Sequence, residues 1–283
     1  MIHDIGHAGD VATQPETLAT RPVAYSMITE LFRVQADAVP RNKFRRMMGV
    51  SPVHPDAESW FSGAHGELKM GELLSQLGPE WLVLHAVPVG TGESDIDHVI
   101  VGPGGVFTIN TKRHERKKIW VGERILLVAG QKSDHLRNSR HEAKRASKLL
   151  SVVTGSSIVA HPVIAVVGAS SFTFKQRPKD VSVMDARRVP RWLKHRPPVL
   201  SAKTVQRISA AAVDPRTWHP SADLTIDPTY LDRFRVLDRQ VVSARRRRLL
   251  WAAVVTLGIA VVAYVYVLPA VTSLIVAAIS GIG

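Results

Sequence analysis

Residues 95–112 read DIDHVIVGPGGVFTINTK, and this stretch decides the fold. Two β-prone runs, 96–101 and 106–112, flank the turn Gly102-Pro103-Gly104-Gly105. Such a pattern predicts a β-hairpin, because glycine and proline favour the turn while valine, isoleucine and threonine favour strands. If Val101 pairs with Val106, the residue numbers of opposed positions sum to 207, and this register fixes which side chains share a face.

In that register, Asp97 lies opposite Asn110 and Asp95 lies opposite Lys112. Alternation then places these four polar residues on one face of the hairpin. The opposite face is predicted to carry Ile96, His98, Ile100, Phe107, Ile109 and Thr111. Two carboxylates, an amide and an amine suit divalent-metal chemistry. The alternative is a solvated sheet face in which Asp95 and Lys112 form an ordinary cross-strand ion pair.

The hairpin lies within a mixed pattern of helices and strands. A helix is predicted at 64–77 and a strand at 81–87 before it, and a second hairpin at 119–128 after it. A basic helix at 138–153 and a Val- and Ile-rich strand at 158–167 follow. The last predicted elements are a strand at 180–184 and helices at 189–194, 202–212 and 228–248. The fold class predicted is therefore α/β, with the order helix, three strands, helix, strand.

Three segments together resemble the NERD (nuclease-related) domain: Gly66-Glu67, residues 95–103 and residues 105–112. That family is similar to the PD-(D/E)XK nucleases, which have an αβββαβ core with a mixed sheet flanked by helices. The resemblance implies that Glu67 is the acid of the helix, Asp97 the metal-binding aspartate and Lys112 the catalytic lysine. It also implies a metal-dependent nuclease acting on DNA or RNA, with Mg²⁺ or Mn²⁺ as cofactor.

The chain departs from the nuclease pattern at Asn110, where that pattern has Asp or Glu two residues before the lysine. An amide oxygen can ligate a metal, but it is neutral, so Mg²⁺ should bind more weakly. The expected metal ligands are Asp97 and Asn110, with Glu67 and Asp95 as further candidates. Asp95 or Glu93 are the residues that could replace the missing charge.

Charge along the chain is uneven. The total is +13, and residues 112–148 hold twelve basic and four acidic side chains, a net of +8. Such a window favours binding of nucleic acid with little sequence preference. The candidate binding residues are Lys117, Lys118, Arg137, Arg140, Lys144 and Arg145. The alternatives are a solvated helix face, or a face that meets anionic lipid.

The C-terminal end reads as a membrane segment. Residues 249–268 are almost wholly apolar, and a helix of this length is roughly 30 Å long, enough to cross a hydrocarbon core. Arg245–Arg248 precede it and are expected on the cytoplasmic side. With no signal-peptide pattern at the start, the soluble part is expected in the cytoplasm, anchored by a single pass. Residues 270–283 either extend the helix past Pro269 or lie in the interface.

These observations predict four regions: an N-terminal arm or linker at 1–58, the NERD-like domain at 59–225, a basic juxtamembrane helix at 226–248 and the transmembrane segment at 249–283. The absence of cysteine excludes a disulfide framework, a thiolate zinc site and a cysteine nucleophile. No small-molecule cofactor is implied, and the oligomeric state is open. Three functions are predicted as alternatives: a nuclease, a degenerate nuclease fold that only binds nucleic acid, and a membrane-associated interaction module.

Overall fold

A computed structural model describes residues 17–89, 95–220 and 225–280, with the side chains of 277–279 left out. The helices are α1 (Tyr25–Gln35), α2 (Lys43–Met47), α3 (Glu58–Leu74), α4 (His135–Thr154), α5 (Val189–Lys194), α6 (Ala202–Val213), α7 (Tyr230–Val262) and α8 (Leu268–Ser280). The strands are β1 (Leu82–Pro88), β2 (Asp95–Gly102), β3 (Gly105–Arg113), β4 (Lys118–Val121), β5 (Leu126–Val128), β6 (Gln131–Ser133), β7 (Ala160–Val167), β8 (Ser171–Phe174) and β9 (Ser182–Asp185).

The main sheet is mixed, with the strand order β1-β2-β3-β7-β9. The first three strands form an antiparallel meander, and β7 and β9 then add in parallel. Helix α4 lies in the crossover that connects β3 to the parallel strand β7, as such a connection requires. With α3 ahead of β1, the chain has the predicted αβββαβ order, and the predicted α/β class is confirmed.

The central hairpin has the predicted register. Five pairs run from His98–Ile109 to Gly102–Gly105, and each pair sums to 207. Gly105 takes a φ of 124°, which is open to glycine. A side chain at Gly102 would meet the ring of Trp81 at 2.2 Å, so this turn needs glycine for space as well. The pairs predicted beyond His98–Ile109, which involve Asp97 and Asp95, lie outside the paired region.

Both faces of the main sheet are covered, so the alternative of a solvated sheet face is wrong. One apolar cluster joins Val99, Val101 and Val106 to Ala143 and Leu150 of α4. The other joins Ile100, Phe107 and Ile109 to Met70 and Leu74 of α3. Ile96 belongs to the first cluster, which corrects its predicted place beside Ile100. Its placement follows from an interruption of strand pairing at the next residue, described below.

The second sheet has the order β6-β5-β4-β8. The hairpin of β4 and β5 was predicted, but β6 and β8 were not. Both are short, and β6 consists of Gln131, Lys132 and Ser133, which carry no hydrophobic signal. Ile119, Val121 and Leu126 of this sheet pack with Ile164 and Val166 of β7.

The chain divides into two compact units. The first comprises residues up to Leu31 together with Ser59–Pro228, and the second comprises Phe32–Glu58 and Thr229–Gly283. The predicted arm at 1–58 therefore needs a correction. Leu18, Ile28 and Leu31 are fully buried, and Leu18 packs in the cluster below α4, so residues 17–31 are part of the first unit.

The C-terminal helix is continuous from Tyr230 to Val276, and within the described chain it is the one helix long and apolar enough to cross a membrane. Pro269 does not end it, so the prediction that residues beyond Pro269 extend the helix is the correct alternative. A π-helical turn at Ala263–Val267 precedes this proline. Such turns accommodate local disruptions of the hydrogen-bond ladder, and proline, which lacks an N–H, is one.

Candidate functional site

Glu67 is positioned by a close approach of α3 to the end of β3. A side-chain carbon at the preceding residue, Gly66, would lie 3.2 Å from Cβ of Arg113 and 3.5 Å from Cγ2 of Thr111. Glycine at this position therefore lets the helix approach the strand closely. Glu67, the next residue, is only 4% exposed. The Gly-Glu pair that the sequence offered thus has a physical reason: the glycine brings the acid to the sheet.

Asp97 lies at a break in both ladders of β2. On one side His85 pairs with His98 and Val87 with Ile96, which leaves out Asp97 and Ala86, whose φ is 47°. On the other side the printed pairs of the hairpin end at His98. The Asp97 carboxylate fills the gap, because its Oδ2 accepts the backbone N–H of Thr111 at 2.6 Å. Irregularities of this kind redirect a side chain from the regular alternation.

The acids around Lys112 influence each other's protonation. Burial raises the pKa of Glu67 well above its usual value; Asp97 adds to this and Lys112 opposes it. Burial also raises the pKa of Asp97, which Lys112 and the Thr111 N–H oppose. Lys112 acts in the same direction on Glu142. One ammonium group thus influences three carboxyl groups, which places Glu67, Asp97, Glu142 and Lys112 in one electrostatic cluster.

Glu142 of α4 is the acid that the sequence analysis missed. Its Oε1 accepts a hydrogen bond from Asn110 Nδ2 at 2.5 Å. Burial, and next the charge of Asp97, raise the pKa of Glu142 to about 8. The remaining oxygens of the pair, Asn110 Oδ1 and Glu142 Oε2, are buried and have no partner among the described atoms. A sequence signal existed: Glu142 lies three residues after Ser139 and four before Ala146, both on the buried face of α4.

Asp95 has partners other than the predicted Lys112. Ser26 donates a short hydrogen bond to its Oδ2, and Arg21 forms an ion pair with it at 3.8 Å. Burial raises the pKa of Asp95, and both partners oppose that rise. Arg21 is itself only 8% exposed, so it supplies a buried positive charge at the edge of the acidic cluster. Sequence reasoning could not find this contact, because Arg21 and Ser26 lie in the segment interpreted as an arm.

The donors of this cluster fit a divalent cation by their chemistry. Mg²⁺ and Mn²⁺ prefer carboxylate and amide oxygens, and the two buried oxygens without partners, on Asn110 and Glu142, are of these kinds. Asp97 and Glu67 are the nearest further donors. Within the described residues no three His, Asp or Glu side chains are arranged as a ready metal site. Glu93, one predicted source of compensating charge, lies outside the described residues.

A cavity of about 370 Å³ adjoins Asp95 and Glu142. Basic side chains of α4 line it as well, namely Arg137, His141 and Arg145. An acidic cluster beside a basic rim can attract a phosphate group while keeping carboxylates for a cation.

The predicted nucleic-acid-binding residues differ in their surroundings. Lys117, Lys118 and Lys144 are exposed. Arg137 forms an ion pair with Asp134 at 3.2 Å, and Arg140 forms a two-pronged pair with Asp180 at 2.6 and 2.9 Å. Arg140 is therefore the least suited of the six to bind a phosphate, since it would first have to give up two charged hydrogen bonds.

Comparison with known families matches residues 62–167 to the model of the nuclease-related domain. This chain contains a NERD domain. The match begins in α3 and ends with the last residue of β7, so the NERD domain coincides with the αβββαβ core and includes Glu67, Asp97, Asn110, Lys112 and Glu142. No curated protein and no solved structure matches the chain significantly.

Proposed function

We propose that the chain is a membrane-anchored nuclease that hydrolyses phosphodiester bonds of DNA or RNA with the help of Mg²⁺ or Mn²⁺. The observation that carries this proposal is the cluster in which Lys112 acts on Glu67, Asp97 and Glu142. An amine among buried acids, beside unpartnered oxygens and a basic rim, is suited to phosphoryl chemistry. The NERD domain points to the same class of reaction.

The proposed roles follow from the position of each side chain. Asp97, Asn110 and Glu142 hold the cation, and Glu67 adds a carboxyl group at the edge. The bound cation supplies Lewis-acid stabilisation and lowers the pKa of a water molecule. Lys112 stabilises the negative charge that develops on the phosphate as water attacks phosphorus and the ester oxygen leaves. The raised pKa of Glu142, about 8, means that a cation displaces a proton there at neutral pH.

The proposed substrate is a polyanion bound with little sequence preference. Lys117, Lys118, Lys144 and Arg145 are the residues we assign to phosphate contacts. Arg137 is added when its pair with Asp134, which is exposed and therefore weak, opens. Such binding should weaken steeply with salt, because each phosphate contact releases counterions.

A cleavage assay on the full chain in detergent tests the proposal. We expect cleavage of end-labelled DNA or RNA with Mg²⁺ or Mn²⁺ and none with EDTA. A second candidate function, binding without cleavage, is favoured by the neutral Asn110 and by the lack of a ready metal site among the described residues. Salt-sensitive binding with no cleavage under either metal would support that second candidate and reject the nuclease.

We further propose that the apolar part of the helix Tyr230–Val276 anchors the chain, with the NERD domain in the cytoplasm. The support is the uncharged run after Arg248 and the arginines before it. In sealed inverted vesicles, added protease should remove the NERD domain, since that side faces outward. In right-side-out vesicles the domain should be protected. The opposite pattern would reject the orientation, and release of the chain by alkaline carbonate would reject the anchor.

A further inference from the structure

The second unit contains a cavity of about 350 Å³ that arginines line from two segments. Arg41 and Arg46 lie on the segment around α2, and Arg239 and Arg247 lie on α7. Residues 41–50 contain four basic side chains and no acidic one, and residues 239–248 contain five and none. Two wholly cationic segments thus meet around one opening.

Specific contacts hold these segments together in spite of their like charge. Arg41 donates to the carbonyl of Val50 at 2.7 Å and to Gln240 at 3.3 Å, and Arg247 donates to the carbonyl of Arg46 at 2.9 Å. Burial, followed by the charges of Arg46 and Arg247, lowers the pKa of Arg41. The guanidinium groups are therefore fixed at a repulsive separation, an arrangement that a bound anion would stabilise.

Gly49 makes this close packing possible. Its φ is 74°, and a side-chain carbon there would lie 2.5 Å from the carbonyl oxygen of Ala244 and 2.6 Å from the nitrogen of Arg248. The backbone of this segment therefore rests directly on α7. The geometry of the opening is built into the chain, because it depends on a residue that only glycine can occupy without strain.

The position along the chain identifies the anion. Arg247 lies two residues before the apolar run that begins at Leu249, and Trp251, an interfacial residue type, donates to the carbonyl of Met47 at 3.0 Å. Next to it, Phe44 is 64% exposed, and Met47, Met48 and Val50 are exposed as well. An apolar surface beside a cationic opening at the start of a membrane helix matches both parts of a lipid, its acyl chains and its phosphate.

We propose that this cavity binds the phosphate headgroup of an anionic phospholipid, with Arg41, Arg239 and Arg247 as its ligands. The inference rests on the proposed membrane anchoring but not on the nuclease activity. Arginines near a membrane surface each add to the affinity for anionic lipid, and a cavity that fixes three of them adds selectivity over a zwitterionic headgroup.

Native mass spectrometry of the full chain in detergent tests this, with phosphatidylglycerol and phosphatidylcholine offered at equal concentration. We expect phosphatidylglycerol adducts to dominate, and Arg41→Gln/Arg247→Gln to weaken them about 10- to 30-fold. The matched control is Arg245→Gln/Arg246→Gln, which removes the same charge from residues that do not line the cavity. We expect the control to weaken the adducts less than about 3-fold. Equal losses in both variants would overturn the cavity in favour of general attraction.

Two further arms separate other readings. Arg239→Gln lines the cavity from α7 without holding the α2 segment, so it should reduce adducts even if the double variant disturbs that segment. Inorganic phosphate in equal amount should leave the lipid adducts in place. Displacement by phosphate would show that a free anion is the occupant and would overturn the lipid assignment. A chain that remains in solution without detergent would reject the anchor instead, and that result is distinguishable from a membrane-bound chain that shows no lipid preference.

Discussion

Replacing Lys112 with methionine is expected to lower the rate of metal-dependent phosphodiester cleavage about 10²- to 10³-fold. The ammonium group acts on Glu67, Asp97 and Glu142, so it lies where a reacting phosphate would be held. Methionine keeps most of the length of the lysine chain, and Lys112 is only partly buried, so the fold should persist. The measurement is single-turnover cleavage of labelled DNA and RNA by the full chain.

A comparison with Asp97→Asn separates the two proposed roles. Lys112→Met removes a positive charge, so calorimetry should show Mn²⁺ affinity unchanged or increased while cleavage falls. Asp97→Asn should weaken Mn²⁺ affinity roughly 10-fold or more and also reduce cleavage. Asparagine can still accept the Thr111 N–H through its amide oxygen, so the local break in the ladder is retained.

The matched control is Lys132→Met, an exposed lysine of β6 in the same basic window. It should cleave at the parent rate, apart from a small loss of substrate affinity. If Lys112→Met retained the full rate, or if Lys132→Met lost as much, the assignment of Lys112 as a catalytic residue would fail.

The sequence was sufficient for the fold core because the central hairpin is strongly specified. Val and Ile alternation, together with Gly102 and Gly105, admits one register, and a slip by one residue would expose the apolar set. The elements missed are short and polar, as with β6, or lie in a segment with weak periodicity, as with α2. Their positions depend on tertiary contacts such as that of Gly49 with α7, which no local pattern reveals.

The candidate site could be predicted only in part for a related reason. Glu67, Asp97 and Lys112 were found through motif resemblance, and their roles remain proposals. The break at Asp97 was not foreseen, because regular alternation assumes an uninterrupted ladder. Glu142 and Arg21 come from elements outside the hairpin, and a basic helix or an assumed arm gives no reason to look there for partners of Asn110 and Asp95.

The partnership of Asn110 and Glu142 leads to the second large expected effect. The nuclease pattern has an acid at position 110, and here the amide of Asn110 holds the carboxyl group of Glu142 instead. We infer that Glu142 supplies the missing acid from α4. Glu142→Gln should then lower the cleavage rate about 10²-fold, since a neutral ligand replaces a charged one at the cation.

Exchanging the two groups should restore activity. In Asn110→Asp/Glu142→Gln the total charge is that of the parent, and the glutamine amide can donate to the new aspartate, which reverses the original hydrogen bond. We expect cleavage within about 10-fold of the parent rate. Asn110→Asp alone places two carboxyl groups in contact, so in EDTA it should raise the pKa of Glu142 further and destabilise the fold. Added Mn²⁺ should recover that stability.

Unfolding in EDTA provides a control that does not depend on activity. Glu142 holds its proton to about pH 8 in the folded chain, whereas its ordinary value is 4.5. The folded state therefore binds an additional proton between these values, and its stability should fall as the pH rises from 4.5 to 8. Glu142→Gln should reduce this fall while leaving stability at low pH nearly unchanged. If Glu142→Gln cleaved at the parent rate while showing this change in stability, Glu142 would be a buried structural acid, and the exchange would have no activity to restore.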